Sequence, residues 1–290
     1  MSDKRLSLTW FIISSIFLMV FGACALPFAS TPVAPVIVEP TYPPTQASIP
    51  AAGLDQTTPA KDQPTDAVET PDICHDDICF SYDDSIACNV TGETIPASDG
   101  EMWDNYPQHV QFTFDCYPLS GTFHNPVLRV YPIADYRARF DHIGEMLLEI
   151  SSLLETKPAD PQSIPFLPVW NAAALFRSNV DYIDFENGRG VRFLTQFGQA
   201  AWPINNLDMF YTFQGVTNDG FYYVTSVLPA SNPILPMNGD TIPGGDHMAF
   251  SENFQNYALD IKNQLNSQTP ESFTPNLILL DEMIRSLRVH

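Results

Sequence analysis

"MFYTFQGVTNDGFYYVTSVLPA", residues 209–230, carries the pattern of a β-hairpin. Two runs of aromatic and β-branched residues flank Asn218-Asp219-Gly220. Such runs around a glycine-bearing tip make a β-hairpin. Tyr222 and Tyr223 are neighbours, so a strand turns one of them away from the core side. Just upstream, "NVDYIDFENGRGVRFLTQF", residues 179–197, repeats the form, with the turn expected at Asn187-Gly188. Earlier still, "HVQFTFDC" (109–116) sets Val110, Phe112, Phe114 and Cys116 against His109, Gln111, Thr113 and Asp115. "ICFSY" (78–82) and "VLRVYPI" (127–133) also read as strands.

Helical spacing appears in three places. Between Phe140 and Thr156, the residues Ile143, Met146, Leu147, Ile150, Leu153 and Leu154 form one apolar stripe. Phe254, Tyr257, Ala258, Ile261 and Leu265 stripe a second helix. A third, with Leu277, Leu280, Ile284 and Leu287, is expected to start at Thr274-Pro275, a capping residue followed by proline. Six to seven strands joined mainly by hairpins, with a long helix and two C-terminal helices, predict an α+β domain around an antiparallel sheet. Between helix and hairpin lies "KPADPQSIPFLPVW" (157–170), whose four prolines forbid helix and central strand alike. Its Phe166, Leu167, Val169 and Trp170 are more apolar than a free loop needs. The segment is expected to fold back over the sheet and to form part of a ligand cleft, with Trp170 as anchor.

The N-terminal part is of another kind. Lys4 and Arg5 precede an uncharged run from Leu6 to Phe28, as in a secretory signal. "FGAC" (21–24) resembles a bacterial lipobox, in which small residues precede a cysteine that takes lipid, here Cys24. Phe21 departs from that pattern, which prefers an aliphatic residue. Two other outcomes stand beside it: cleavage at the small-x-small Ala23-Cys24-Ala25, or retention of the run as a single span. All three put the rest of the chain outside the cytoplasm. Residues 25–73 hold ten prolines among many Thr, Ala and Ser, and read as an extended, disordered tether. The single domain is expected over 74–290.

Outside the cytoplasm, nearby thiols oxidise. Four cysteines remain after Cys24, and they allow three pairings. Period-2 alternation puts Cys88 with Ile86 and Val90, and Cys116 with Phe112 and Phe114. Cys74 and Cys79 lie in the charged "CHDDIC" (74–79). The expectation is therefore a buried Cys88–Cys116 bond and an exposed Cys74–Cys79 bond.

With 34 acidic against 13 basic residues, the net charge of −21 opposes binding to nucleic acid. The chain has no G-x-S-x-G, phosphate-loop, H-E-x-x-H or dinucleotide motif, so neither a catalytic residue, nor a metal, nor a cofactor is assigned. "CHDDIC", with His75, Asp76 and Asp77, holds zinc-ligand types but is expected to be a disulfide. Glu145, Glu149 and His142 lie on the polar side of the long helix. Asp181 and Asp184 fall on opposite strand faces. Asp240 and Asp246 sit in a glycine-bearing loop that is read as a plain loop. Asn89-Val90-Thr91 matches a glycosylation acceptor by accident. Trp103, Tyr106, Trp170 and Trp202 fall in or beside loops, where aromatic faces serve recognition. Trp170, Phe166, Tyr222 and Tyr223 are the candidate cleft residues.

The stretches "GVRFLTQFGQ" (190–199), "MFYTFQGVTNDGFYYVTSVLPAS" (209–231) and "LDEMIRSL" (280–287) resemble a group of uncharacterised bacterial lipoproteins. "VYPIADYR" (130–137) and "FSYDDS" (80–85) extend the resemblance. It implies a lipidated surface protein but no particular chemistry. In architecture the domain is similar to PsbP-like domains, which are binding and assembly modules. The expected function is a non-catalytic binding or assembly module on the outer face of a membrane, with a protein or glycan ligand. The alternatives are an extracytoplasmic hydrolase and a carbohydrate-binding surface protein.

Overall fold

A computed structural model describes residues 72–100 and 104–290. In chain order the elements are β1 (Ile73–His75), β2 (Ile78–Phe80), β3 (Asn89–Ile95), β4 (Ser98–Asp99), β5 (Asn105–Tyr106), β6 (His109–Asp115) and β7 (Val127–Pro132). Then come α1 (Ile133–Arg139), α2 (Ile143–Thr156), β8 (Ala173–Ala174), β9 (Ser178–Phe185), β10 (Gly188–Thr195) and β11 (Phe197–Gly198). The rest are β12 (Phe210–Thr217), β13 (Tyr222–Pro229), α3 (His247–Glu252), α4 (Phe254–Asn266), α5 (Leu277–Arg285) and β14 (Arg288–Val289). Seven strands form one antiparallel sheet in the order β3-β6-β7-β13-β12-β10-β9, so the fold is α+β as its alternation implies.

Alternation gives the sheet two differently covered faces. The first carries Phe112, Leu128, Val224, Phe213, Leu194 and Ile183, and packs under α4, α5 and the β1–β2 hairpin. The second carries Tyr131, Tyr223, Val191 and Phe193 under α1, α2 and the proline segment. The apolar stripe of α2 meets it as expected, with Ile143, Ile150, Leu153 and Leu154 buried. On β7, β6 and β3 the second face is unevenly covered: Tyr131, Val127 and His109 are buried, Gln111, Thr113 and Arg129 are half-buried, and Glu93 is exposed.

Several local expectations are corrected. The tight turn of the β9–β10 hairpin is Glu186-Asn187, and Gly188 is already in the strand opposite Phe185. A Cβ on Gly188 would lie 2.0 Å from the Phe185 ring, so the glycine serves ring packing rather than the turn. The tip of the next hairpin is where it was expected, with Gly220 at φ +75° and Asp219 Oδ1 accepting from Phe221 N at 2.9 Å. Residues 133–139 and 247–252 are helical without having announced it. Asp246 belongs to no plain loop; its side chain caps α3, accepting from Met248 N and Ala249 N. The cap of α5 is Asn276 rather than Thr274, which instead bridges to Ser231. Ile73 lies in β1 and not in the tether.

Both disulfides form as paired: Cys74–Cys79 and Cys88–Cys116. The first closes the β1–β2 hairpin directly across Cα partners, with Asp76 and Asp77 at positive φ in the turn. "CHDDIC" is thus a clamped turn. The expected burial of Cys88–Cys116 is overturned, because both residues are exposed. The ladder pairs Asn89 with Asp115 and stops there. Cys116 then takes φ +57°, which swings it out of the alternation that its spacing from Phe114 suggests. Two disulfides indicate a non-reducing, extracytoplasmic setting for the domain.

Candidate ligand-binding cleft

One row of polar side chains crosses the second face at a single level. Strand register places Glu93 opposite Gln111, Gln111 opposite Arg129, Arg129 opposite Thr225 and Thr225 opposite Gln214. At its covered end the row holds the proline segment by its backbone. Leu167 N donates to Gln214 Oε1 at 3.0 Å, and Leu167 O accepts from Thr225 Oγ1 at 2.8 Å and Gln214 Nε2 at 3.3 Å. Gln214 is itself fixed, since its Oε1 also accepts from Tyr223 Oη at 2.8 Å. At the open end, Arg129 Nε donates to Gln111 Oε1 at 2.7 Å. Gln111 Nε2 reaches Glu93 Oε1 at 3.4 Å.

Above that open end is a cleft of about 530 Å³. Its floor is Gln111, Thr113, Val127, Arg129 and Val227. One wall is Tyr106, His109 and Tyr131, with the His109 ring 4.4 Å from Tyr131 and 5.2 Å from Tyr106. Arg139 on α1 steadies this wall by donating to Ser98 O, Asp99 Oδ1 and Asn105 Oδ1. The other wall is Trp170, His124 and Phe123. His124 stacks on Trp170 at 5.0 Å and 10°. Behind Trp170 stand Phe166, Phe197 and Phe210, with centroids 4.8–5.6 Å away. The loop bearing Phe123 starts at the Cys88–Cys116 bond and is held by Phe123 N donating to Leu207 O at 2.9 Å. Two further hollows of about 590 and 220 Å³ adjoin the far side of the same Phe123–His124 ridge.

Burial pushes His109 down to about 4, and the positive charge of Arg129 adds to this. Burial alone pushes His124 down to about 4. Both imidazoles are therefore neutral near pH 7. His109 Nδ1 faces Pro107 O at 2.9 Å, so that nitrogen carries the proton. Among the described residues that line the cleft there is no Asp, Glu, Lys, Ser or Cys, and Arg129 bears the formal charge.

The candidate residues part company here. Trp170 lines the cleft. Phe166 backs it from behind. Tyr223 is buried beneath α1 and α2, and Tyr222 faces a separate small hollow near His290. Tyr106 joins the wall, while Trp202, 40% exposed, borders the neighbouring hollow. Asp181 and Asp184 do point apart, one towards Arg192 and the other towards Lys157. Glu145, Glu149, His142 and Asp240 are exposed, and Asn89 Nδ2 bonds Asp115 Oδ2. Cys24 and Trp103 lie outside the described residues. Arg129, Gln111, His109 and His124 were not picked out as site residues. The only signal for three of them was the polar side of an alternating strand.

Among the described residues, no three His, Cys, Asp or Glu side chains gather to hold a metal, and no helix is long and apolar enough to cross a membrane. No protein-family model, no curated protein and no solved structure matches the chain.

Proposed function

We propose that this domain is a non-catalytic binding module for a small ligand, held outside the cytoplasm by lipid on Cys24, and that the cleft over Arg129 is its site. The observation that carries this is the arrangement of the second face. Along the polar row the proline segment covers the sheet as far as Thr225, and beyond it lies a charged, hydrogen-bonding floor between two aromatic walls. The cleft volume falls within the ~300–1,000 Å³ of small-molecule sites. Its floor and walls are fixed by sheet register, a disulfide and the Arg139 bonds, so the site is largely preorganised.

A hydrolase needs a nucleophile or an acid–base pair within reach. The described lining holds the Thr113 hydroxyl and two histidines pushed down to about 4, which makes them weak bases, and this favours binding over catalysis. The disulfides and the signal-like N-terminus support an extracytoplasmic place, and the resemblance of "FGAC" to a lipobox supports the anchor. The test is nuclear magnetic resonance mapping on the full-length chain against a panel of small carboxylates, amines, sugars and dipeptides. Saturable shifts at Arg129, Gln111 and Trp170 are expected for at least one compound class. A panel that leaves all three unmoved removes this function.

A further inference from the structure

We infer that the ligand of this cleft is a small planar monocarboxylate, its carboxylate received by the terminal nitrogens of Arg129 and its ring held between the two aromatic walls. This rests on the cleft being a binding site, and deepens that reading by naming the ligand class.

The first ground is how Arg129 is partnered. Among the described residues Arg139, Arg192, Arg288, Lys157 and Lys262 each meet a carboxylate, whereas Arg137, Arg177, Arg189 and Arg285, like Arg129, do not; of these, Arg129 lines the cleft. Arg129 meets an amide. Gln111 satisfies Nε and leaves the charge unneutralised. Among the described residues, the Nη groups of Arg129 make neither a hydrogen bond nor an ion pair. The terminal edge of a guanidinium matches the two oxygens of a carboxylate, and such charge-assisted pairs are the strong ones. Gln111 is held for this task, because its Nε2 leans on Glu93 and turns its oxygen to Arg129.

The second ground is charge balance. With both histidines neutral, the described lining supplies one positive charge. One carboxylate cancels it. A phosphate dianion would leave an excess negative charge near Glu93, at the edge of the same row. The third is shape. The facing walls are rings: Tyr106, His109 and Tyr131 on one side, Trp170 and His124 on the other. Flat faces stack on flat ligands. The same row already shows its selectivity at the covered end, where Thr225 and Gln214 take the neutral amide of Leu167. The arginine end is the anionic counterpart.

The test is calorimetry on the full-length protein with naphthoate, its neutral amide, and phenyl phosphate. Naphthoate should bind the native chain at least about tenfold more tightly than the amide, since a charge-assisted bond is lost. That gap should close in Arg129→Gln, and raising salt should weaken naphthoate alone. Equal binding of acid and amide to the native chain overturns the inference, as does tighter binding of phenyl phosphate. The comparison on the native chain decides the matter even if Arg129→Gln does not fold. If none of the three probes binds while other panel compounds shift Arg129 and Trp170, the ligand class is wrong and the binding module stands. If nothing shifts those residues, both fall.

Discussion

Arg192 on β10 and Asp281 on α5 form a buried, two-pronged ion pair. Arg192 Nε is 3.1 Å from Asp281 Oδ1 and Nη2 is 3.1 Å from Oδ2. Tyr211 Oη donates to Oδ1 at 3.0 Å, and Arg192 Nη1 also holds Asn179 O. Burial outweighs the attraction of Arg192 and holds the Asp281 carboxyl above its ordinary range. The pair therefore fixes where α5 sits on the first face more than it adds net stability. Removing one partner strands the other. Asp281→Ala should cost about 3–5 kcal/mol in denaturant unfolding. Tyr211→Phe should cost about 1.5–3 kcal/mol, as loss of a bond to a charged group. The two losses should be non-additive in the double variant, because they share one carboxylate.

The cleft histidines make stability depend on pH. Each is pushed down to about 4 in the folded chain, from an unfolded value near 6.5. Between those values the unfolded chain binds more protons, so stability falls as pH drops from about 6.5 to about 4 and the loss ends below that. Protonation of the many carboxylates overlies this window. The histidine part is therefore read as the difference between the native chain and His109→Gln/His124→Gln, and thermal melting of the double variant should show the shallower slope.

The disulfides should differ in worth. Cys88–Cys116 spans 28 residues and Cys74–Cys79 spans 5. In the chain-entropy account they contribute about 3.5 and about 2 kcal/mol. Unfolding of Cys88→Ser/Cys116→Ser should therefore come at lower denaturant than that of Cys74→Ser/Cys79→Ser. The first pair also anchors the loop that carries Phe123 and His124, so ligand binding should suffer there and be spared in the second variant.

If Cys24 carries lipid, the mature chain partitions into detergent and membranes, and Cys24→Ser releases it into solution. Mass spectrometry of the mature N-terminus should show a diacylglyceryl cysteine. A mature chain that begins unmodified beyond Cys24 contradicts the anchor.

Sheet and hairpins were legible because alternation is enforced wherever one strand face meets a core: Val110, Phe112 and Phe114 read as they pack. The stripe of α2 was legible for the same reason at helical spacing. Short α1 and α3 gave no stripe long enough to notice. Cys116 misled because alternation was carried one residue past the end of its ladder, where φ turns positive. Trp170 was marked by its apolar company among prolines. Arg129 was not, since a lone arginine in an alternating strand reads as solvent-facing. Its cleft is assembled from residues 106–109, 123–124 and 168–170, whose meeting depends on tertiary packing.

If the open end of the second face is the binding site, filling it must abolish binding. Thr113 is a half-buried floor residue beside Arg129, and Thr113→Trp puts a ring into the cleft without touching the row that docks Leu167. Calorimetry with naphthoate, and with any panel compound that shifts Trp170, should show binding to the native chain and none to a Thr113→Trp chain of unchanged melting temperature. Undiminished binding to that folded variant would place the ligand site elsewhere.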